Sequence, residues 1–267
     1  MSIAQQLDLL VSSVQTSTKY RTLSPALVRA IGAQELTKRR HLKEAIKATK
    51  NKLHQIAGAY QIGKVEYASW LHALQQTAGD AASLRIVCRE IMAHHASTRE
   101  RLMILDEFYS TLFVGLPRIS SILDLACGLN PLAIPWMSLP AGVTYAACDI
   151  YQDQIDFLRQ CFVLFGVDGD AQPCDLLQAC PDQAADVVFL LKTIPCLEQV
   201  DKTIGRKLLD GINAPILFVS FPAQSLGGRN KGMTGNYEQH FRELVADKPW
   251  RIERFDFATE LVFRVLK

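Results

Sequence analysis

The sequence predicts an α/β fold, a Rossmann-like seven-stranded sheet with one reversed strand, preceded by an all-helical N-terminal domain. Three observations carry that expectation. The stretch Ser121-Ile122-Leu123-Asp124-Leu125-Ala126-Cys127-Gly128-Leu129-Asn130-Pro131 is an apolar run closed by a small-residue turn and a proline. A short apolar run between turn signals fits a strand covered on both faces, and proline suits the first turn of a helix. Within the turn, Gly128 permits a positive φ or a close approach, and Asn130 tolerates the left-handed region. Second, Val143 to Asp149 is another apolar run ending in an acid, roughly 20 residues beyond the turn, as in nucleotide-binding α/β sheets. Third, strand-like and helix-like segments alternate after Leu116, whereas before it none reads as a strand.

The elements follow in order. Ile3 to Val14 is an amphipathic helix, and Ser24-Pro25 reads as an N-cap followed by proline at the first helical position. Gln34 to Ala57 is expected as one long basic helix, with Leu36, Ala45, Ile46, Leu53 and Ile56 roughly on one face. Val65 to Gln75 and Ala81 to His94 are two more helices. Ser97-Thr98-Arg99-Glu100 has the form of a capping box ahead of a helix from Arg99 to Phe113. No Pro/Gly/Ser linker separates this helical part, residues 1–115, from the α/β part, residues 116–267, so the two should pack together.

In the second part, strand 121–125 leads to a helix near 131–137 and strand 143–149 to a helix at 152–165. A third strand is expected to end at Pro173-Cys174, just before Asp175. Asp186 to Leu191 is a strand, followed by a helix from Thr193 through Leu208, the strand Pro215 to Phe221 and the helix Tyr237 to Val245. Arg251–Phe257 and Leu261–Leu266 close the chain as an antiparallel hairpin. Ligands of such sheets bind outside the carboxyl ends of the strands, so the loops after residues 125, 149, 174, 191 and 220 should converge.

Composition bounds the function. The 267 residues are 49% hydrophobic and 21% charged, which describes a globular chain and not a disordered one. No apolar run approaches the length of a membrane helix and no basic-then-apolar leader opens the chain, so a cytoplasmic protein without a membrane partner is expected. Seven cysteines without C-x-x-C spacing point to reduced, buried thiols, and the six histidines form no metal-binding pattern. The net charge of +2 hides an asymmetry, since residues 1–80 hold eleven Lys or Arg against five Asp or Glu. Lys38, Arg39, Arg40, Lys43 and Lys47 are the densest part of that excess. They suit a polyanion such as RNA, or form the solvated face of a helix.

The first turn has one glycine and not the three of a G-x-G-x-x-G fingerprint, which disfavours a pyrophosphate-bearing cofactor such as NAD. The D-x-x-C-G-x-N-P arrangement from Asp124 to Pro131 suits S-adenosylmethionine, which carries no phosphate. Asp149 is placed to accept both ribose hydroxyls, or to cap the helix from Gln152.

Several motifs together resemble one family. They are His95-Ala96-Ser97-Thr98-Arg99-Glu100-Arg101-Leu102, Asp124 to Pro131, and Ser220-Phe221-Pro222 with Ser225-Leu226-Gly227-Gly228-Arg229. His54-Gln55-Ile56-Ala57-Gly58-Ala59-Tyr60 adds a fourth near the end of the basic stretch. In order and spacing these are similar to the aminoglycoside-resistance 16S rRNA methyltransferases that modify guanine N7 in the decoding site, at guanine 1405. Ala57 departs from the pattern, standing where a cysteine is usual, and Gln61 to Ala93 matches little of it.

The resemblance implies a Rossmann-like methyltransferase domain, S-adenosylmethionine as cofactor, and 16S rRNA within the assembled 30S subunit as partner of a monomeric enzyme. It implies a cofactor pocket at Tyr60, His95, Ala96, Ser97, Arg101, Asp124, Ala126, Gly128, Asp149, Asp175, Leu176 and Leu191. Arg101 would pair with the methionine carboxylate, for which a guanidinium offers a bidentate fork. Asp175 would accept from the adenine amino group, or cap a helix.

On the target side, Phe221 and Pro222 would form an apolar wall for a guanine. Ser225, Arg229 and Lys231 lie in a basic loop suited to base and phosphates, or in a plain surface turn. Lys192 would touch the base or a phosphate, or cap its strand. Guanine N7 has a lone pair and no proton to lose, so no general base is expected and catalysis is positioning. The alternatives are methylation of another rRNA position, such as adenine N1, or RNA binding without catalysis.

Overall fold

The computed structural model describes residues 2–77, 79–223 and 233–267. Its sheet is built from β1 (Ser121–Leu125), β2 (Thr144–Asp149), β3 (Asp168–Pro173), β4 (Val187–Leu191), β5 (Ile216–Pro222), β6 (Arg251–Asp256) and β7 (Glu260–Leu266). The strand order is β3-β2-β1-β4-β5-β7-β6. β1 to β5 are parallel, and β7 alone runs antiparallel between β5 and β6. The order reverses between β1 and β4, which places a ligand crevice at the carboxyl ends of those two strands.

The helices are α1 (Ile3–Gln15), α2 (Pro25–Lys38), α3 (Leu42–Leu53), α4 (Tyr67–Gln75), α5 (Ala81–Met92), α6 (Ala96–Arg101) and α7 (Leu105–Phe113). After β1 come α8 (Ile134–Met137), α9 (Gln152–Phe165), α10 (Ile194–Leu197), α11 (Ile204–Gly211) and α12 (Met233–Leu244). Side chains alternate across the sheet, as a pleat demands. Ile122, Tyr145, Phe189 and Phe218 pack with Phe108, Tyr109, Phe157 and Phe162 on one face. Leu123, Leu125, Val188, Leu190, Leu217 and Val219 pack with Leu208, Leu209, Phe241 and Leu244 on the other. Every residue of β4 is buried, as a central parallel strand requires.

The N-terminal helices divide between two cores. α1, α2 and α3 build their own, with Leu10, Val14, Leu27, Ile31, Ala45 and Leu53 gathered against Tyr151. From Leu74 in α4 through Leu112 in α7, the large buried apolar side chains instead join the core of the sheet. The N-terminal bundle is tied to the carboxyl end of β2 by a bridge between Leu23 and Tyr151 and by the Gln152 amide, which donates to the Thr22 carbonyl at 3.1 Å.

Three expected helices are broken. The span expected as one helix from Gln34 to Ala57 is α2, an extended break at Arg39 (φ −121°, ψ 141°), α3, and a π-helical turn at His54–Gly58. The helix expected over Arg99–Phe113 is α6 and α7, and the one from Thr193 through Leu208 is α10 and α11. The capping box does not form. His95 is the N-cap of α6, and the Thr98 hydroxyl donates to the carbonyls of Met92 (2.6 Å) and His95 (3.1 Å). Asn130 opens a 3-10 turn, Asn130–Ala133, and the left-handed residues of this corner are Ala126 (φ 51°) and Gly128 (φ 53°).

Candidate cofactor and methyl-transfer site

A cleft opens at the carboxyl ends of β1, β2 and β4. Tyr60, His95, Ser97, Arg101, Asp124, Ala126, Asp149, Asp175, Leu176 and Leu191 line it, so residues far apart in sequence converge. Two residues expected there shape it without lining it. Ala96 is buried and its amide donates to the Tyr60 carbonyl at 2.8 Å. The Gly128 amide donates to Asp149 Oδ2 at 2.8 Å. A Cβ on Gly128 would sit 2.7 Å from the His95 ring, so the glycine is required by that contact and by its positive φ.

Asp149 Oδ1 accepts the Ile150 amide at 2.7 Å. It is not the cap of α9, whose N-cap is Tyr151. Burial raises the Asp149 pKa, and the amides of Gly128 and Ile150 pull it back. Asp124 is almost completely buried and accepts from Asn130 Nδ2 (2.8 Å) and the Tyr145 hydroxyl (2.7 Å). Burial pushes its pKa up to about 6 despite both bonds. Asp175 serves its own turn, accepting from the Leu177 amide (3.0 Å) and Gln178 Nε2 (2.8 Å), while also lining the cleft.

Arg101 is wholly buried, and one edge of its guanidinium is occupied. Nε and Nη2 donate to Glu260 at 3.0 and 2.7 Å, and Nη1 donates to Asn130 Oδ1 at 2.7 Å. The expected bidentate fork is therefore spent on Glu260, leaving one hydrogen on each terminal nitrogen. Lys192, with φ 56° at the end of β4, is also internal, its Nζ lying 2.8 Å from Glu100 and 3.3 Å from Glu260. Burial works against ionisation of Glu260, but Arg101 and Lys192 outweigh it and hold its pKa below the usual range. These cations are thus offset by Glu260 and Glu100, and the cleft keeps a surplus of carboxylates at Asp124, Asp149 and Asp175. Left-handed Ala126 and Lys192 flank it at the ends of β1 and β4, conformations that cost about 1–3 kcal/mol each and cluster at functional sites.

The donor set fits a cationic nucleoside. Ile150, Leu176, Leu177 and Leu191 supply apolar wall beside the three acids. His95 Nδ1 is buried with no partner, an unsatisfied polar atom at the cleft wall. Burial, then the charges of Arg101 and Lys192, lowers the His95 pKa to about 4, so its ring is neutral near pH 7.

Comparison with known proteins settles the family. The family model described as ribosomal RNA methyltransferase (FmrO) matches residues 16–264. The chain belongs to this family. It is 40% identical to the 16S rRNA (guanine(1405)-N(7))-methyltransferase of Micromonospora rosea, over 98% of this chain and 97% of that one. Identity to the enzyme of the same name from Serratia marcescens is 34%, over 96% and 97%. Among solved structures, the 16S rRNA methyltransferase RmtF in complex with S-adenosyl-L-homocysteine superposes with a TM-score of 0.86, at 30% identity over 100% of this chain and 99% of that one.

Within this methyltransferase some sequence expectations move. Phe221 is completely buried, stacked on Tyr237 and edge-on to Phe241 and Phe263, and so is no wall for a base. Pro222 is half-buried at the end of β5. Ser225, Arg229 and Lys231 lie outside the described residues. Lys38 and Arg39 turn to Glu35, a carboxylate only 2% exposed that also draws Lys52 (3.7, 3.3 and 3.6 Å). Arg40, Lys43 and Lys47 are exposed, with no carboxylate partner among the described residues.

Sequence reasoning missed Asn130, Glu260, Gln154 and Cys196. Asn130 joins Arg101, Tyr109 and Asp124; Gln154 donates to the Gly128 carbonyl at 2.9 Å; Cys196 Sγ lies 2.7 Å from the Tyr60 hydroxyl. Only Asn130 had a signal, its place in the first turn. Leu27 and Ile56 of the N-terminal helices also line the cleft.

Proposed function

We propose that this chain transfers a methyl group from S-adenosylmethionine to N7 of guanine 1405 in 16S rRNA, acting as a monomer on the assembled 30S subunit. The observation that carries the reading is the 40% identity, over 98% of the chain, to an enzyme named for that reaction. The cleft supplies an independent reason, because its acids (Asp124 buried, Asp149 and Asp175 half-buried) and apolar walls suit a positively charged nucleoside. When bound, the cofactor supplies a methyl group on a cationic sulfur.

The protein's residues hold and orient. Asp149, fixed by two backbone amides, accepts from the ribose hydroxyls. Asp175 and the walls at Ile150, Leu176 and Leu191 hold the adenine. Arg101, clamped by Glu260, meets the methionine carboxylate with its remaining hydrogens, and Lys192 is kept in place by Glu100 and Glu260. N7 has no proton to lose, so the task is alignment and exclusion of water, which can supply several orders of magnitude in rate. N7 faces a deep, narrow groove in an RNA helix, so the base must be flipped out or presented by folded RNA. The N-terminal helices, with Arg40, Lys43 and Lys47 lacking a carboxylate partner among the described residues, suit phosphate contacts on a folded rRNA surface.

The test is chemical mapping of 16S rRNA after incubation of 30S subunits with the protein and S-adenosylmethionine. Strand scission specific for N7-methylguanine at position 1405 is expected. A methyl on a neighbouring adenine would refute the assignment.

A further inference from the structure

With Phe221 buried, the wall for the target base must lie elsewhere, and the aromatic stack itself indicates where. The Phe221 ring lies against Tyr237 with centroids 5.1 Å apart and planes 28° from parallel. Phe241 and Phe263 meet it edge-on at 5.9 and 6.0 Å. Tyr237 stands in the second turn of α12 and is half-buried, so the stack runs from the core out to solvent through this one ring.

Its partner Phe221 stands at the carboxyl end of β5, where Ser220 is in register with the cleft residue Leu191. Phe221 follows Ser220, whose hydroxyl accepts the Lys192 amide at 3.0 Å and donates to Glu260 at 2.6 Å. Tyr60 is bonded to Cys196, and both line the cleft. Burial raises the pKa of both phenols, and each is raised further by the Cys196 thiol; Tyr237 in turn raises Tyr60. One turn on from Tyr237 in α12, His240 Nε2 lies 2.8 Å from Glu198, two residues after Cys196, so α12 meets the end of α10 beside the cleft.

We propose that Tyr237 is the stacking platform for the target guanine, an inference that rests on the function proposed above. The chemistry selects an aromatic ring at this place. In the transfer, the N7 lone pair forms the new bond to the methyl carbon, the sulfur keeps the pair of the broken C–S bond, and no proton moves. The positive charge passes from sulfur to the purine. A π face attracts a cation, so a purine stacked on Tyr237 is held more tightly as its charge develops. An interaction that strengthens toward the transition state raises the rate and not merely the affinity.

Single-turnover methylation of purified bacterial 30S subunits at saturating enzyme, read at N7 of guanine 1405, tests this. Tyr237→Leu keeps apolar packing on Phe221 but removes the π face, and should slow the step about 10- to 100-fold, the range of base–aromatic stacking. Tyr237→Phe and Tyr237→Trp should stay within a few-fold of the parent. S-adenosylhomocysteine affinity should be unchanged in all three, which also verifies that each is folded. A Tyr237→Leu enzyme at the parental rate would overturn the proposal. So would a Tyr237→Phe enzyme as slow as Tyr237→Leu, which would assign the effect to the hydroxyl. Failure of the parent enzyme itself to methylate this guanine would instead refute the function on which the proposal rests.

Discussion

Asp124 and His95 line the same cleft and are driven in opposite directions by its low polarity. Burial pushes the carboxyl up to about 6 and the imidazole down to about 4. Between pH 4 and 6 the folded state holds the Asp124 proton that the unfolded chain releases, so this group makes stability fall as pH rises. His95 does the reverse, since the unfolded chain takes up a proton there that the folded state refuses. The two slopes oppose, each at most about 1.4 kcal/mol per pH unit. In Asp124→Asn the carboxyl slope is gone. The stability difference from the parent should then shift in the variant's favour by about 2 kcal/mol between pH 4 and 6, measured by urea unfolding. A pH-independent difference would mean that Asp124 is not perturbed. Asp149→Ala is the direct test of the ribose contact, expected to weaken S-adenosylhomocysteine binding by about 1–3 kcal/mol in calorimetry. Equal affinity would reduce Asp149 to a support for Gly128. Asp149 was legible because an acid ends a strand at a set distance from the turn. Glu260 was not, since β7 follows the turn by more than 100 residues and only pairing with β5 brings it back.

At the level of elements, the break between α2 and α3 divides cations that sequence periodicity treats as one stripe. Helical spacing continues across Arg39, and nothing local announces that Glu35 will be buried and draw Lys38, Arg39 and Lys52 around it. The sheet, in contrast, was legible strand by strand, because β1, β2, β4 and β5 are apolar runs bounded by turn residues. The partition of charges has a measurable consequence. Replacing Arg40, Lys43 and Lys47 by glutamine should weaken 30S binding and lower the slope of log affinity against log salt by about 2 to 3. Replacing Lys38 and Arg39 should do less, because their charge is already partly met by Glu35. Equal salt slopes for the parent and the first variant, from filter binding over a range of KCl, would leave that stripe as solvated surface.

At the scale of the molecule, the cleft is roofed by parts of two cores. Leu27 and Ile56 come from the bundle of α1 to α3, and the remainder comes mainly from the carboxyl edge of the sheet and the turn before α6. Expression in a susceptible bacterium should therefore give a phenotype that depends on the whole assembly, with high resistance to gentamicin and kanamycin and retained sensitivity to apramycin. A methyl on N7 adds positive charge and bulk to a base that the disubstituted deoxystreptamine drugs contact, so they meet both repulsion and a steric block. Apramycin lacks the ring that reaches this guanine. Minimum inhibitory concentrations for the three drugs decide the matter, and resistance that extends to apramycin would point to the neighbouring adenine. The control variant should be Asp149→Ala and not Arg101→Ala. Removing Arg101 leaves Glu260 with less compensation in the core, a loss of about 3–5 kcal/mol for a buried pair, and unfolding alone would then abolish resistance. A sensitive Asp149→Ala strain that accumulates folded protein would tie the phenotype to the cofactor cleft.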